Sequence, residues 1–435
     1  MRILIAASAL TGHVNPLLAI GHRLRARGDD VLFTTAETFQ ARIEAAGLRF
    51  APCNDGGAAA YLDADLPPGP ERWRHEFERR FINGMPGQAA GLRRLIAEHQ
   101  PDVVIAGSLF LGVLPLLLDI QPRPPIAVLN VSFLFLDRPD HAPVGVGLPP
   151  AKDEAERLRY AALKASTDAA FVNPVRAHTD LLLAGLGLPP LPASLPHSIV
   201  VLPDLFLQPT VQPFEYDFGT PPPGLRFVGL LPSPHVEMPL PDWWHELDGG
   251  KRVVLVTQGT LANGDFGSLV EPALAALADR DDLLVVATTG GRPVNALRGS
   301  LPPNARVASF LPFDTLLPKV DLLVTNGGYG SVSQALAAGV PIVSAGRTED
   351  KAEVGARIGW SGVGIDLATD MPTVDLLRTS ISRVLDEPDF RRRATEIAEA
   401  FGRIDAGHEI LRAIDAVVTA RRAKRQGGPV PGRPA

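Results

Sequence analysis

Two stretches of the chain carry residue types that can do chemistry, and the first is a glycine-rich turn. Asn326-Gly-Gly-Tyr-Gly-Ser331 follows the apolar run Leu322–Thr325, and the helix that it opens is predicted to end at Gly339. Glycine adopts backbone angles that are closed to other residues. The free N–H groups and the positive dipole end of a helix N-terminus can hold a phosphate. The turn therefore indicates phosphate binding, with a purely structural strand-to-helix turn as the alternative.

The second stretch places a histidine after the first apolar run. Residues 2–7 predict a strand, residues 8–13 a loop, and Leu17 to Arg27 a helix that has Asn15-Pro16 as its N-cap and first residue. His13 would then lie at the carboxyl end of the strand, where its side chain could take or give a proton. A capping or surface histidine is the alternative.

Strands and helices alternate through both halves of the chain. This pattern predicts an α/β fold with two doubly wound, Rossmann-like parallel sheets that face each other across a cleft. The length of 435 residues agrees with two domains, since single cores rarely exceed about 300 residues. The predicted parts are an N-terminal domain at 1–207, a linker at 208–240 with a short strand at 226–229, a C-terminal domain at 241–400, a helix at 401–420 that can cross back to the first domain, and a disordered tail at 421–435.

Composition argues against several classes of partner. A formal charge of −6 gives no reason to expect nucleic acid or an anionic membrane as a partner. The longest apolar segment, Leu109 to Leu118, is interrupted by Pro115 and is too short to span a bilayer. The single cysteine, Cys53, leaves no internal disulfide and fits a reducing cytoplasm. The apolar start of the chain imitates a signal peptide but is too short, so a soluble cytoplasmic protein is expected.

An aromatic stripe follows the first three predicted strands. Trp73, Phe77 and Phe81 have the i, i+4, i+8 spacing of one helix face, with several arginines around them. Such a stripe packs on the core or lines a substrate pocket, and the sequence leaves both interpretations open.

Six motifs, in order and in spacing over residues 1–420, resemble one enzyme family. Each motif is short, and their common register makes the resemblance specific. The chain is similar to the two-domain GT-B glycosyltransferases of family 1, the UDP-glycosyltransferase superfamily, and among these to bacterial enzymes that glycosylate macrolides and other natural products. The motifs are Gly12-His-Val-Asn-Pro16, Ala46-Gly-Leu-Arg-Phe-Ala-Pro52, Phe227-Val-Gly229, Gln258-Gly-Thr260, Phe310-Leu-Pro312, and the stretch 320–350 with Gly339-Val-Pro341.

The resemblance implies a reaction. Enzymes of this family move a sugar, commonly a hexose, from a nucleotide sugar to an acceptor hydroxyl with inversion at the anomeric carbon. A UDP- or dTDP-sugar is the expected co-substrate, with no other cofactor. No metal is expected, because backbone amides at helix N-termini can stabilise the departing diphosphate. The acceptor would be a small apolar polyketide, macrolide or phenol, and the protein a monomer or a homodimer.

The resemblance also assigns roles to residues. His13 is implied as the general base, Phe310 as the ring that stacks on the nucleobase, and Asp350 as the group that binds sugar hydroxyls. The implied acceptor-binding residues, for which core packing stays the alternative, are Trp73, Phe77, Phe81, Leu109 and Phe110. The implied donor-binding residues are Gly12, Gly259, Thr260, Phe310, Pro312, Asn326, Gly327, Gly328, Gly330, Ser331, Gln334, Glu349, Asp350 and Lys351.

Three donor positions depart from the family pattern. Asn326 stands where a phosphate-binding histidine is usual, Gln334 where a ribose-binding glutamate is usual, and Lys351 where a sugar-binding glutamine is usual. All three side chains can still form hydrogen bonds. Lys351 replaces an amide by a cation, which indicates either a different sugar or an ion pair with Glu349.

The catalytic side departs as well. The family's histidine is oriented by an aspartate, and this chain has Gly107-Ser108 at that place. Ser108 and Asp137 are the leading candidates to orient the imidazole instead, with Asp119 and Asp140 as further options. The missing aspartate also permits a non-catalytic GT-B protein that binds a nucleotide sugar or activates a partner transferase. A sugar epimerase of the same fold would need acidic groups that find no match here.

Overall fold

Parallel strands of the first half form one seven-stranded sheet. A computed structural model describes residues 1–53, 70–231, 238–260 and 263–425. The strands are β1 Arg2–Ala6, β2 Asp30–Thr35, β3 Arg49–Pro52, β4 Val103–Gly107, β5 Ile126–Leu129, β6 Leu205–Gln208 and β7 Leu225–Phe227. Their order in the sheet is β3-β2-β1-β4-β5-β6-β7. In the register of the central strands, Ile5 of β1 lies between Phe33 of β2 and Ile105 of β4.

Helices cover both faces of this sheet. Alternate residues of β1 enter different cores, Leu4 on one face and Ile3 on the other, because successive strand side chains point in opposite directions. The helices are α1 Thr11–Ala26, α2 Gln40–Ala45, α3 Pro70–Phe77, α4 Met85–His99, α5 Leu114–Leu118, α6 Glu154–Thr167, α7 Asn173–Gly185 and α8 Leu195–Val201. Single π-helical turns, Glu78–Ile82 and Asp168–Val172, follow α3 and α6.

The first helix begins earlier than the sequence predicts. The N–H groups of His13 and Val14 both donate to the carbonyl oxygen of Leu10, so the helix is under way before Pro16. Pro16 therefore lies inside α1. The prediction of a loop at residues 8–13 and of a helix start at Asn15-Pro16 was wrong, and His13 stands in the first helical turn.

The second half repeats the architecture with six parallel strands. These strands are β8 Arg252–Thr257, β9 Leu283–Thr288, β10 Ala305–Ala308, β11 Leu322–Thr325, β12 Ile342–Ser344 and β13 Gly364–Asp366, in the order β10-β9-β8-β11-β12-β13. The helices are α9 Val270–Leu277, α10 Phe313–Leu316, α11 Tyr329–Ala337, α12 Lys351–Ser361, α13 Val374–Asp386, α14 Pro388–Gly402 and α15 Ala406–Arg425. The predicted fold class, two doubly wound α/β sheets, is confirmed.

Two segments tie the halves together. β7 lies within the stretch predicted as a linker, yet it pairs with β6 as the edge strand of the first sheet. Ile410 and Ile414 of α15 are buried in the same core as Ile3 and Leu205, so the last helix returns from the second half to the first. Within the described ranges, no helix is both long enough and apolar enough to cross a membrane.

Each sheet has one point where the strand order reverses. It lies between β1 and β4 in the first sheet and between β8 and β11 in the second. The loops that leave such neighbouring strands diverge to opposite faces and open a crevice at the carboxyl edge, which is where α/β sheets bind ligands. The loops after β1 and β4 lead to His13 and Ser108, and those after β8 and β11 lead to Thr260 and Asn326.

Candidate active site between the two sheets

The carboxyl edges of the two sheets meet. Ser132, in the loop after β5, donates a hydrogen bond of 2.7 Å from its hydroxyl to Oδ2 of Asp350, in the loop after β12. Gln208, at the end of β6, donates a bond of 2.8 Å from Nε2 to the hydroxyl of Tyr329, the first residue of α11. All four residues lie just beyond or at the end of a strand, so the two crevices share one cleft.

The glycine-rich turn forms the N-terminus of α11. Gly327 has φ +87°, which a residue with a Cβ rarely adopts, and Gly328 is the N-cap. Ser331 donates its hydroxyl to the carbonyl oxygen of Gly328 at 2.9 Å. Gln334 stands one turn further along the half-exposed side of the helix, and Gly330 is exposed. The free N–H groups of this first turn give the site its capacity to bind an anion.

A second loop lies beside this turn. Asn326 donates from Nδ2 to the carbonyl oxygen of Gln258 at 2.7 Å, which joins the loops after β11 and β8. Gly259 has φ +68°, and its carbonyl oxygen would lie 2.1 Å from a Cβ placed on Gly290. Thr260, which follows Gly259, is exposed. Asn326 was predicted to contact phosphate. One of its amide hydrogens instead forms the hydrogen bond between the two loops.

An exposed aromatic ring flanks the cleft on the same side. Phe310 is 53% exposed, and its ring lies against the backbone of Gly291, where a Cβ would approach Cζ to 2.6 Å. Pro312, at the N-cap of α10, is half-buried. An exposed ring held in place by a glycine backbone offers a flat apolar surface to a ligand.

The acidic tip before α12 is partly enclosed. Lys351 is buried and forms an ion pair with Glu349, as the sequence suggested, and its Nζ also donates to Oγ1 of Thr348 at 3.2 Å. Burial raises the pKa of Asp350, which the hydrogen bond from Ser132 and the charge of Lys351 oppose. Within the described residues, the hydroxyl of Ser132 is the side chain that bonds the Asp350 carboxyl group, so the remaining acceptor sites of that group can serve a ligand.

His13 faces the cleft from the first sheet. The ring is half-buried, with its centroid 6.2 Å from that of Phe81, and Gly12 beside it is exposed. Among the described residues, nothing forms a hydrogen bond with its buried Nδ1. Burial, and then the positive charge of Arg80, lower the pKa of His13 to about 4. The imidazole is therefore neutral at physiological pH and able to accept a proton.

The carboxylates proposed to orient His13 are engaged elsewhere. Asp137 lies 3.3 Å from Nδ1 of His197 and 3.7 Å from Nζ of Lys164. Asp140 pairs with Arg138, and Asp119 pairs with Arg93. The buried Ser108 hydroxyl has no hydrogen-bond partner within the described part of the chain, so it does not bond the imidazole. The predicted hydrogen bonds between His13 and Ser108 or Asp137 are thus not formed: Asp137 lies against His197 and Lys164, and the Ser108 hydroxyl and Nδ1 of His13 do not bond each other.

The aromatic stripe is divided between core and cleft. Phe81 is buried and Phe77 half-buried, with ring centroids 5.2 Å apart, whereas Trp73 is 51% exposed. Phe110 is fully buried in the core of the first sheet, and Leu109 packs against that core. Phe81 belongs to the same buried core and is the stripe residue whose ring lies next to His13. Because Phe110 is fully buried, core packing is the one of the two interpretations that the structure supports for it.

A buried ionic cluster, which the sequence did not predict, lies between the halves. Arg357 of α12 bonds Glu215 at 2.8 Å and Glu353 at 2.7 Å. Glu353 in turn accepts hydrogen bonds from the N–H groups of Gly145 at 2.8 Å and Gly147 at 3.2 Å. The cluster thereby joins α12, which follows Asp350 directly, to a loop of the first domain. Its members are far apart in sequence, and no local pattern marks them.

Two doubly wound parallel sheets whose carboxyl edges meet at one cleft are the architecture of the GT-B fold. A structure described as the glycotransferase of kitacinnamycin superimposes with a TM-score of 0.72 at 20% identity, over 95% of this chain and 99% of that one. The family described as "Erythromycin biosynthesis protein CIII-like, C-terminal domain" matches residues 271–417.

Full-length relatives extend this match over the whole chain. The 4'-demethylrebeccamycin synthase of Lentzea aerocolonigenes is 37% identical over 96% of this chain and 99% of its own length. UDP-glycosyltransferase 2 of Phaeomoniella chlamydospora is 36% identical over 96% of each chain. The chain belongs to the family 1 GT-B glycosyltransferases, the UDP-glycosyltransferase superfamily, and it is a glycosyltransferase. The resemblance seen in the motifs is confirmed, and the non-catalytic alternative loses its support.

Proposed function

We propose that the protein transfers a sugar from a UDP- or dTDP-sugar to a hydroxyl of a small apolar natural product, with inversion and without a metal. The observation that carries the proposal is the meeting of the two carboxyl edges, with His13 on one side and the turn at Gly327 on the other. Two relatives, a UDP-glycosyltransferase and a 4'-demethylrebeccamycin synthase, support a nucleotide-sugar donor and a natural-product acceptor.

The second domain would bind the donor. The N-terminus of α11 and Thr260 would hold the diphosphate, Phe310 with Pro312 would cover the nucleobase, and Asp350 would accept hydrogen bonds from sugar hydroxyls. The helix N-terminus offsets the negative charge that grows on the leaving diphosphate in the transition state. This contribution removes the need for a bound cation.

The first domain would bind the acceptor against Phe81 and Phe77. His13, neutral because its pKa is about 4, would take the proton from the acceptor hydroxyl as the oxygen attacks the anomeric carbon. The bond from that carbon to the diphosphate oxygen breaks, and its electron pair leaves with the nucleotide. A single in-line displacement places the new bond opposite the leaving group, so the anomeric configuration inverts.

A transfer assay tests this function. The protein is incubated with UDP- and dTDP-hexoses and a panel of polyketide, macrolide, phenol and indole acceptors, with and without EDTA, and products are detected by mass spectrometry. We expect glycosides with inverted anomeric configuration in both conditions. Nucleotide diphosphate binding without transfer to any acceptor contradicts the proposal, and loss of transfer in EDTA contradicts its metal-independent part.

A further inference from the structure

The surroundings of His13 differ from those of a strong general base. No carboxylate among the described residues bonds its Nδ1, and the charge that acts on the ring is the cation of Arg80. A carboxylate partner raises the basicity of a histidine, whereas a nearby cation lowers it. His13 is therefore a weak base, and the charge that acts on its ring is positive.

Arg80 and His13, the proposed base, both lie near the ring of Phe81. The guanidinium carbon of Arg80 lies 5.6 Å from the centroid of Phe81, and the His13 ring lies 6.2 Å from the same centroid. Arg80 and Phe81 both belong to the π-helical turn Glu78–Ile82, a distortion that often marks functional positions in helices. This turn therefore carries both the cation and the ring that lies near His13.

Arg80 is also a half-buried cation. Burial lowers the pKa of Arg80, and the charge of Glu76 opposes the shift only in part. Glu76 also accepts a hydrogen bond from Nε of Arg72 at 3.1 Å. An anionic ligand atom beside Arg80 would stabilise this half-buried cation.

We propose that Arg80 is a specificity-determining residue, and that it selects acceptors whose reacting oxygen is acidic, the O–H of a phenol or of a carboxylic acid. The proposal rests on the glycosyltransferase function proposed above and narrows its acceptor class. A phenol, with a pKa near 10, gives up its proton about six pKa units more easily than water or a simple alcohol near 16. Arg80 stabilises the resulting oxygen anion by direct charge attraction.

The step balances without a further reactant. A phenol O–H proton passes to the neutral His13 imidazole, while a carboxylic acid arrives already ionised and releases its proton to water. The acceptor oxygen forms a bond to the anomeric carbon, and the carbon–oxygen bond to the diphosphate breaks with its electron pair on the nucleotide. Arg80 is unchanged at the end.

Three acceptors that share one ring system test the proposal: 2-naphthol, 2-naphthoic acid and 2-naphthalenemethanol. Their kcat/KM values are measured with the same nucleotide sugar for the wild type, Arg80→Met, Arg80→Lys and, as a matched loss of charge in the same turn, Arg79→Met. We expect the kcat/KM of the wild type for the better of 2-naphthol and 2-naphthoic acid to exceed that for the alcohol by at least about 100-fold. The comparison of naphthol with naphthoic acid shows which kind of acidic oxygen is used. Arg80→Met should reduce that preference at least tenfold, whereas Arg80→Lys and Arg79→Met should keep most of it.

Two results would overturn the proposal. One is a wild type that glycosylates the alcohol as well as both acids, which is decisive even if no variant folds. The other is an Arg80→Met protein, with wild-type melting temperature and nucleotide affinity, that loses activity equally toward all three acceptors. Transfer without preference contradicts only the role of Arg80, whereas the absence of transfer to any acceptor contradicts the proposed function and this inference together.

Discussion

The hydroxyl of Ser132 donates a 2.7 Å hydrogen bond to the carboxyl group of Asp350, from one domain to the other. Asp350 stands immediately before α12, and burial raises the pKa of its carboxyl group. The bond therefore favours the ionised form, which is the better acceptor for sugar hydroxyls. The first domain thus contributes to the electrostatics of the proposed donor site in the second.

Removal of this bond should weaken donor use. We expect Ser132→Ala to raise the KM for the nucleotide sugar roughly tenfold, because a hydrogen bond to a charged group contributes about 1.5–3 kcal/mol. Ser132→Thr keeps the hydroxyl and should restore most of the affinity. The measurement is initial-rate kinetics at saturating acceptor. An unchanged KM in Ser132→Ala would show that Asp350 does not depend on Ser132.

The ring of Phe310 can be displaced by a substitution at another residue, Gly291. A Cβ at Gly291, which has φ +93°, would lie 2.6 Å from the ring, whereas a Cβ at Gly299, which has φ +81°, meets nothing within 4 Å. Both alanine substitutions strain the backbone, and only one moves Phe310. If the ring stacks on the nucleobase, Gly291→Ala should raise the Kd for nucleotide diphosphate roughly tenfold, since such stacking contributes about 1–3 kcal/mol.

Calorimetric titration of both variants checks this prediction. Gly299→Ala should bind nucleotide diphosphate as the wild type does. Equal losses in the two variants would trace the effect to backbone strain, and no loss in either would remove Phe310 from the donor site.

The protonation of His13 is a third test. Burial and the charge of Arg80 lower its pKa to about 4, so the ring stays neutral until the solution is more acidic than that. In the unfolded chain the ring protonates near pH 6.5, so this group makes the fold less stable as the pH falls from about 6.5 to about 4. The NMR titration of the ring proton, assigned by its absence in His13→Ala, should give a midpoint near 4, and Arg80→Met should raise it. A midpoint near 6.5 would contradict the described environment.

The buried cluster around Arg357 should matter for stability. The side chains of Arg357, Glu215 and Glu353 are 1%, 0% and 5% exposed, so Arg357→Met leaves two carboxylates buried together. We expect urea titration to show a loss of about 3–5 kcal/mol in the free energy of unfolding. Arg383→Met removes an exposed i,i+4 pair with Glu387 and should change stability little. Similar effects in the two variants would contradict the structural role of the cluster.

The sequence predicted those features that are encoded locally. The buried strand at Leu322–Thr325, the glycine-rich turn and α11 follow each other directly. Hydrophobic runs and glycines therefore suffice to locate this turn in the sequence. The same logic failed at α1, because hydrogen bonds to Leu10 start the helix before Pro16, and proline inside the helix then looks like its beginning.

Contacts between residues that are distant in the chain were not predicted from the sequence. Ser132 and Asp350 are 218 positions apart, and Glu215 and Arg357 are 142 apart. Only the packing of the two domains brings these groups together, and neither residue pattern departs from that of a solvated loop or an ordinary helix face. For the same reason, the sequence could note the missing aspartate after β4 but could not show that Arg80 is the charge near His13.

The most direct test of the central claim compares His13→Ala with the wild type in two measurements on one preparation, sugar transfer to an acceptor hydroxyl that still carries its proton and nucleotide diphosphate affinity. Loss of a general base lowers the rate by about 100-fold or more, while the donor site in the other domain is untouched. We therefore predict a loss of kcat of at least about 100-fold, with the Kd for nucleotide diphosphate unchanged. A His13→Ala protein that transfers sugar at the wild-type rate would contradict the assignment of His13 as the base.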